Sequence, residues 1–484
     1  MLKRLLNIGG WLLLTGMLSL SFFTSCSDDF DSFSSSPDKL LTFSTDSVRL
    51  DTVFSNVPSA MRSFWVYNHS GDGLRCSNIR LEHGNQSGFR VNVDGIYLGS
   101  SAGYQTSDVE IRKGDSIRVF VELTSAYNHG DSPSYLEDNL VFRLESGVEQ
   151  KVNLNAYSWD ATLLRDVHIT TDTLIASSKP IVIYGGIKVD SLATLTIGAG
   201  TTLYFHNDAG IDVYGRLFCQ GTATDNVVLR GDRIDRMFDY LPYDNVSGQW
   251  QGIHLHESSY GNQLLYTDLH SAFDGIVADS ADIGKLKLEL LSSTIHNCQG
   301  GGLLAQHCQV RVINSQITNT EYFCAEFEGG IVDINSCTIA QFYPLGGSAV
   351  ALSCTDERFP MERFTCTNTL ITGYGSDVFL IYADTTSLNS YQFDHCVIRT
   401  PRIETADSVH FTHVIYEDPQ DTLGLGYNHF AKIDLNNLQY DFRLDSLSVA
   451  IGKADPATAF PVDRNGITRK ETPDIGAYEY KPQE

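Results

Sequence analysis

Two textures of apolar and polar positions follow one another along the chain. From Leu40 to about Trp159, short runs alternate apolar and polar side chains between turn residues, over 47–53, 63–68, 88–93, 116–123, 139–144 and 150–156. In Ser116-Ile117-Arg118-Val119-Phe120-Val121-Glu122 every second side chain belongs in a core and the others in water. Six or seven such strands predict a sandwich of two antiparallel sheets over residues 40–159.

Beyond Trp159 the pattern becomes a repeat. The dipeptides Asp268-Leu269, Thr294-Ile295, Gln316-Ile317, Thr338-Ile339, Leu370-Ile371 and Val397-Ile398 recur at intervals of 26, 22, 22, 32 and 27 residues. A period in the twenties points to a solenoid. Each unit reads as a β-run, a polar turn often holding asparagine (Asn297, Asn319), a glycine or small residue, and another β-run. Leucine-rich repeats share the period but need a fixed leucine pattern that is missing here. A parallel β-helix accepts irregular spacing, because loops inserted between strands leave the stack at about 4.8 Å per coil undisturbed.

Composition agrees with an all-β chain: 40 Gly, 23 Tyr and 25 Phe in 484 residues, with 42% hydrophobic and 19% charged side chains, enough to build sizeable cores. The 34 Lys and Arg against 59 Asp and Glu leave a net charge of −25. Nucleic acid is thereby excluded as a partner, since its recognition rests on basic side chains displacing counterions. Other polyanions would need a bridging divalent cation.

The first residues read as an address. Lys3 and Arg4 precede an apolar run from Trp11 to Phe23, too short to span a bilayer and suited to the core of a secretory signal over residues 1–25. Phe23-Thr24-Ser25-Cys26 resembles a bacterial lipobox, with Phe23 where leucine is usual, and this implies lipidation of Cys26 with palmitate-type chains. The Ser27-Asp28-Asp29-Phe30-Asp31 that follows resembles the export signal of surface lipoproteins of Bacteroidota. An outer-membrane protein facing the exterior is then expected, held by its lipid alone, with residues 26–39 as an acidic, serine-rich tether. An ordinary cleaved signal is the alternative. Nine cysteines remain after Cys26, an odd number without Cys-x-x-Cys or zinc-type spacing, so buried thiols in the repeat are expected.

Phe64-Trp65-Val66-Tyr67-Asn68, Gly88-Phe89-Arg90-Val91-Asn92 and Lys113-Gly114-Asp115-Ser116-Ile117 resemble the immunoglobulin-like domains of the ASH and HYDIN type. Such domains serve as spacers or binding modules. Leu195-Thr196-Ile197-Gly198-Ala199-Gly200-Thr201-Thr202-Leu203, Gly210-Ile211-Asp212-Val213-Tyr214-Gly215-Arg216-Leu217 and Gly248-Gln249-Trp250-Gln251-Gly252-Ile253 resemble the opening coils of pectin-lyase-like proteins. Asp463-Arg464-Asn465-Gly466-Ile467-Thr468-Arg469 with Pro473-Asp474-Ile475-Gly476-Ala477-Tyr478-Glu479 is similar to the closing segment, 463–480, of secreted β-helix proteins. The resemblance implies a right-handed parallel β-helix over residues 160–484, behind an immunoglobulin-like β-sandwich. It implies no activity, because this fold carries lyases, hydrolases, epimerases, adhesins and inert stalks.

Set in register, Ile253 and Leu255, Ile276 and Ala278, Leu303 and Ala305, and Ala325 and Phe327 point inward. Two outward columns then stack: His254, Val277, Leu304 and Glu326, and beside them His256, Asp279, Gln306 and Glu328, extended by Tyr382. The resemblance implies a sugar chain lying along such a face, and the bland alternative is a solvated sheet surface. His254 and His256 can reach one metal together, but the sequence offers no third ligand, so no metal site is expected.

A glycoside hydrolase needs two carboxylates about the scissile bond. The polygalacturonase motifs that carry them, Asn-Thr-Asp, Asp-Asp, Gly-His-Gly and Arg-Ile-Lys, are missing from the repeat. Arg358-Phe359-Pro360-Met361-Glu362-Arg363 fits the Arg-x-Pro-x-x-Arg of one pectate lyase family, which implies Arg358 as the base and Ca²⁺ as cofactor; the rest of that signature is missing, and a loop insertion explains the stretch equally. No other cofactor is indicated. The loop from about Gly231 to Gly248 interleaves Asp232, Asp235 and Asp239 with Arg233 and Arg236 beside Phe238, Tyr240 and Tyr243, and either solvates itself through ion pairs or covers a ligand. The expected function is a surface lipoprotein acting as a non-catalytic glycan-binding or structural module. The alternatives are a polysaccharide lyase or hydrolase using the β-helix face, and an adhesin or scaffold.

Overall fold

The computed structural model describes residues 32–482, apart from 239, 347, 349, 383–390 and 418–427. Cys26 and the leader lie outside the described residues. The chain divides into two compact units, one running to Asn128 and including Pro133–Trp159, the other comprising His129–Ser132 and Asp160 onward.

The first unit is a β-sandwich. A five-stranded sheet holds Arg62–Tyr67, Ser116–Leu123 and Phe89–Val93, and a six-stranded one holds Ser47–Phe54, Glu149–Trp159, Ser134–Leu144 and Leu74–Leu81. Pairing is antiparallel except that Ser47–Phe54 runs parallel to Glu149–Trp159. The alternation seen in the sequence delivers Val66, Val91, Val119 and Val121 from one sheet and Ile79, Phe142, Val152 and Leu154 from the other into one core, each fully buried. Residues 32–39, expected to end the tether, lie on this sandwich instead. The Ser34 amide donates to Gly73 at 3.0 Å, and Phe33 packs under the Arg75 guanidinium at 4.7 Å.

The second unit is a parallel β-helix. Among the described residues it contains an eighteen-stranded and a ten-stranded sheet, with every pairing parallel. Each central coil supplies three strands, as in Ile253–Leu255, Asn262–Leu265 and Thr267–His270, then Ile276–Ala278, Leu286–Leu291 and Thr294–Cys298. The first and third ladders run within the large sheet, and the middle ladder is the small one. The repeat alignment survives pair by pair: Leu269 faces Ile295, Ile295 faces Ile317, then Ile339, Ile371 and Ile398. Ile253, Leu255, Ile276, Leu303 and Phe327 fill the bore.

Two backbone devices turn the corners. Between the second and third ladders a single residue with positive φ bends each coil: Tyr266, Ser292, Asn314, Ser336, Asn368, His395 and His413. Their amides continue the ladder across the corner, as Asn314 does to the Asn335 carbonyl at 2.8 Å. Before the first ladder, Gly252 has φ +86°, and a Cβ there would lie 1.7 Å from the Asp274 carbonyl oxygen, so only glycine lets the coils close up. The nine described cysteines are all buried and unpaired, and burial pushes the Cys219 and Cys324 thiols up to about 12, which leaves them inert.

The third ladder is covered on its outer side. In Gln316–Thr320 every residue is buried, outward positions included. The outer side is covered by Phe430, Phe442, Leu444, Ala450, Ile475, Ala477 and Tyr478, packed on Ala340, Leu370 and Val397. The segment 463–480, expected to close the helix, runs along this ladder. Arg464 donates to Thr294, Tyr478 to Gln316, Ala477 to Thr338 and Gly476 to Asn368.

Candidate functional site

On the exterior of the first ladder, the strand Ile253–Leu255 and the residue after it present His254 and His256 outward, and the neighbouring coils bring a carboxylate to each side. Asp212, in register with His254, lies 2.9 Å from His256 Nε2 and 4.0 Å from His254 Nδ1. Asp279 lies 2.8 Å from His254 Nε2 and 3.6 Å from His256 Nδ1. The imidazoles pack at 3.9 Å, and Tyr214 stacks flat on His256 at the same separation. Lys287, held in the bore at an irregularity of the second ladder, donates from Nζ to the His256 carbonyl at 2.7 Å, and burial pushes its ammonium pKa down. The missing third ligand of the sequence reading therefore exists.

The rest of the proposed column does not join this cluster. Val277 and Leu304 separate His254 from Glu326, three strand spacings or roughly 14 Å along the ladder. Gln306 pairs in register with Glu328, and the strand Phe379–Tyr382 extends the same ladder at Tyr382. Arg358 forms a two-pronged ion pair with Glu328. That contact raises the pKa of a guanidinium that a lyase would need deprotonated, so Arg358 is poorly placed to act as a base. Burial, then the neighbouring Glu328, raises the Glu326 carboxyl.

A second group of polar residues lies on the covered third ladder. Asp268 and His270 share one strand face, and His296 faces His270 one coil on. Asp268 Oδ1 meets His270 Nδ1 at 2.9 Å and His296 Nε2 at 3.2 Å, and Asp244 meets His270 Nε2 at 2.9 Å. Arg230 lies 2.7 Å from Asp244. Burial works against the imidazolium of His270, but Asp268 and Asp244 together outweigh it and raise its pKa to about 9. Burial likewise opposes ionisation of Asp268, yet His270 and His296 hold its carboxyl well below the usual range.

His296 opens onto a cleft of about 260 Å³ between the ladder and its cover. The ladder supplies Thr294, Asn297, Gln316, Thr318 and Asn319. The cover supplies Tyr440, Arg443 and Tyr478, and Asn245 of the long acidic loop reaches its rim. Asn297 and Asn319 have positive φ, which asparagine tolerates, and both line the cleft. Leu438, on the hairpin Phe430–Asp434 and Gln439–Leu444, also has positive φ and lines the same cleft, a strained position for a branched side chain. The rest of the acidic loop is ion-paired: Arg233 with Asp235, and His206 with Asp232. Asp239 lies outside the described residues.

Ser448, His429 and Glu417 form a buried hydrogen-bonded chain that no motif announced. Serine sits on Nδ1 and the carboxylate on Nε2, Thr372 also donates to Glu417 at 2.7 Å, and none of the three residues lines the cleft. That arrangement braces the cover, not a nucleophile. Asp212 was missed because 42 residues separate it from His254, and the cleft because its two walls lie more than a hundred residues apart. His270 and His296 were within reach, since the dipeptide alignment already put them in one column. Compared with protein-family models and with curated proteins, the chain matches none of them.

Proposed function

We propose that the chain is a lipid-anchored protein of the bacterial outer surface whose pectin-lyase-like β-helix binds glycan without cleaving it. The observation that carries this reading is the cleft lined by Asn245, Asn297, Asn319, Gln316 and Thr318 beside Tyr440: amide and hydroxyl groups with an aromatic side chain are the chemistry that pairs with sugar hydroxyls and ring faces. The net charge of −25 agrees with a neutral or cation-bridged polymer. On the first ladder the carboxylates are engaged, Glu328 by Arg358 and Asp212 and Asp279 by histidines, which disfavours an acid and base pair there. The ASH-like sandwich is then a spacer between lipid and β-helix.

The test is binding of the purified protein to a panel of neutral and acidic polysaccharides, with unsaturated and reducing ends followed in the same samples. Tyr440→Ala should weaken binding about tenfold, or roughly 1.4 kcal/mol, while Asp279→Ala and Glu328→Ala leave it unchanged. Loss in the latter pair alone would move the site to the first ladder. A second reading, a cleaving enzyme, is favoured by the raised carboxyl of Glu326, as a general acid requires. Product that disappears in Glu326→Gln would establish it.

A further inference from the structure

We propose that Asp212, His254 and His256 form a zinc-type metal site on the outer face of the β-helix, with Asp279 orienting the imidazoles from the opposite side. Each histidine turns one ring nitrogen toward Asp212 and the other toward Asp279. Tetrahedral zinc with bonds of about 2.0–2.1 Å separates its ligand atoms by roughly 3.3 Å. The distances of 2.9 and 4.0 Å from Asp212 to His256 Nε2 and His254 Nδ1 bracket that value, so a small shift of exposed side chains admits the ion. Imidazoles that bind a metal donate their other N–H to a carboxylate, which fixes the tautomer and raises basicity. Asp279 stands where that acceptor belongs, 2.8 Å from His254 Nε2. Tyr214 holds the His256 ring by stacking, and Lys287 holds its backbone.

Two histidines with one carboxylate and an open position suit Zn²⁺ or a similar borderline divalent ion, not Ca²⁺ or Mg²⁺, which require oxygen ligands. The open position faces solvent, because the Asp212 and His254 side chains are 56% and 41% exposed. Lys188, in register with Asp212, directs its ammonium over the Tyr214 ring at 5.2 Å from the centroid. Two other His and Asp groups exist among the described residues, and both differ. The His270 side chain is only 8% exposed, against 41% for His254, and sits enclosed between Asp268 and Asp244. His395 and His413 both turn Nδ1 to one oxygen of Asp394, at 3.1 and 2.8 Å.

The experiment is calorimetric titration of the chelator-stripped purified protein with Zn²⁺, and with Co²⁺ followed by visible absorption. One equivalent should bind with an intense, four-coordinate Co²⁺ spectrum. Asp212→Asn and His256→Ala should each weaken that equivalent at least a hundredfold, and Asp279→Asn about tenfold. His206→Ala, which breaks a pair with Asp232 outside this cluster, should change nothing. Circular dichroism verifies that each variant is folded, and Asp212, exposed and nearly isosteric with asparagine, is the variant least able to disturb the coil. Wild-type titration curves in both Asp212→Asn and His256→Ala, or a weak six-coordinate Co²⁺ spectrum in the wild type, would overturn the site.

Discussion

Arg469→Ala should lower the stability of the β-helix unit by about 3 kcal/mol in urea unfolding. The guanidinium is almost fully buried and pairs with the equally buried Glu479 at 3.4 Å. It also donates to the carbonyls of Asp474 at 2.9 Å and Gly476 at 2.7 Å, and to Asn314 Oδ1 at 3.2 Å. One side chain therefore ties the turn of the C-terminal cover to a corner residue of the coil stack. Its removal leaves a buried carboxylate with Lys470 as its remaining cation, at 3.6 Å and half-exposed, and strands three acceptors. Because Asn465 and Tyr478 of the same cover line the cleft, glycan binding should fall along with stability. A loss below about 1 kcal/mol would show that the cover holds to the ladder through its apolar contacts alone.

Raising the pH from 6.5 to 9 should cost the wild-type protein about 3 kcal/mol, a slope that Asp268→Asn flattens. The sign follows from His270, whose folded pKa of about 9 exceeds its ordinary 6.5. The folded state keeps a proton that the unfolded chain gives up, so this stabilisation is complete below pH 6.5 and disappears as pH rises through 9. Asp268 acts in the opposite sense. Its carboxyl is held well below 3.8 in the folded state, so its contribution is present above that value and lost as the solution becomes more acidic. The pair predicts a stability plateau between about pH 4 and 6.5, measured by urea midpoints across the range. A flat profile from 6.5 to 9 in the wild type would mean that His270 is neutral between its two carboxylates.

Much of this architecture was legible because the physics behind it is local. Alternation in Ser116–Leu123 and the spacing of Leu269, Ile295, Ile317 and Ile339 each reflect side chains that must enter a core every second residue, or once per coil, and the structure keeps both. The outward columns were also read in register, His254 with Val277, Leu304 and Glu326. What a column of names does not reveal is distance between polar groups along it. His254 and Glu326 share a column yet lie three strands apart, while Asp212, in a coil whose aspartate drew no notice, touches both histidines.

The sequence by itself determined the two textures, the parallel stack and the inward half of nearly every strand, since burial periodicity is written into neighbouring residues. Only the tertiary structure decided which outward face is wet. Gln316 on the third ladder is buried, with Tyr478 of the C-terminal strap donating to it, and no local pattern can announce a cover that arrives from more than a hundred residues away. The same holds for the sites. In a β-helix, spatial neighbours stand one coil apart, and coils of 22 to 32 residues carry loops of unequal length. The meeting of Asp212 with His256, or of Asp244 with His270, is thus set by how the coils stack and where the loops return.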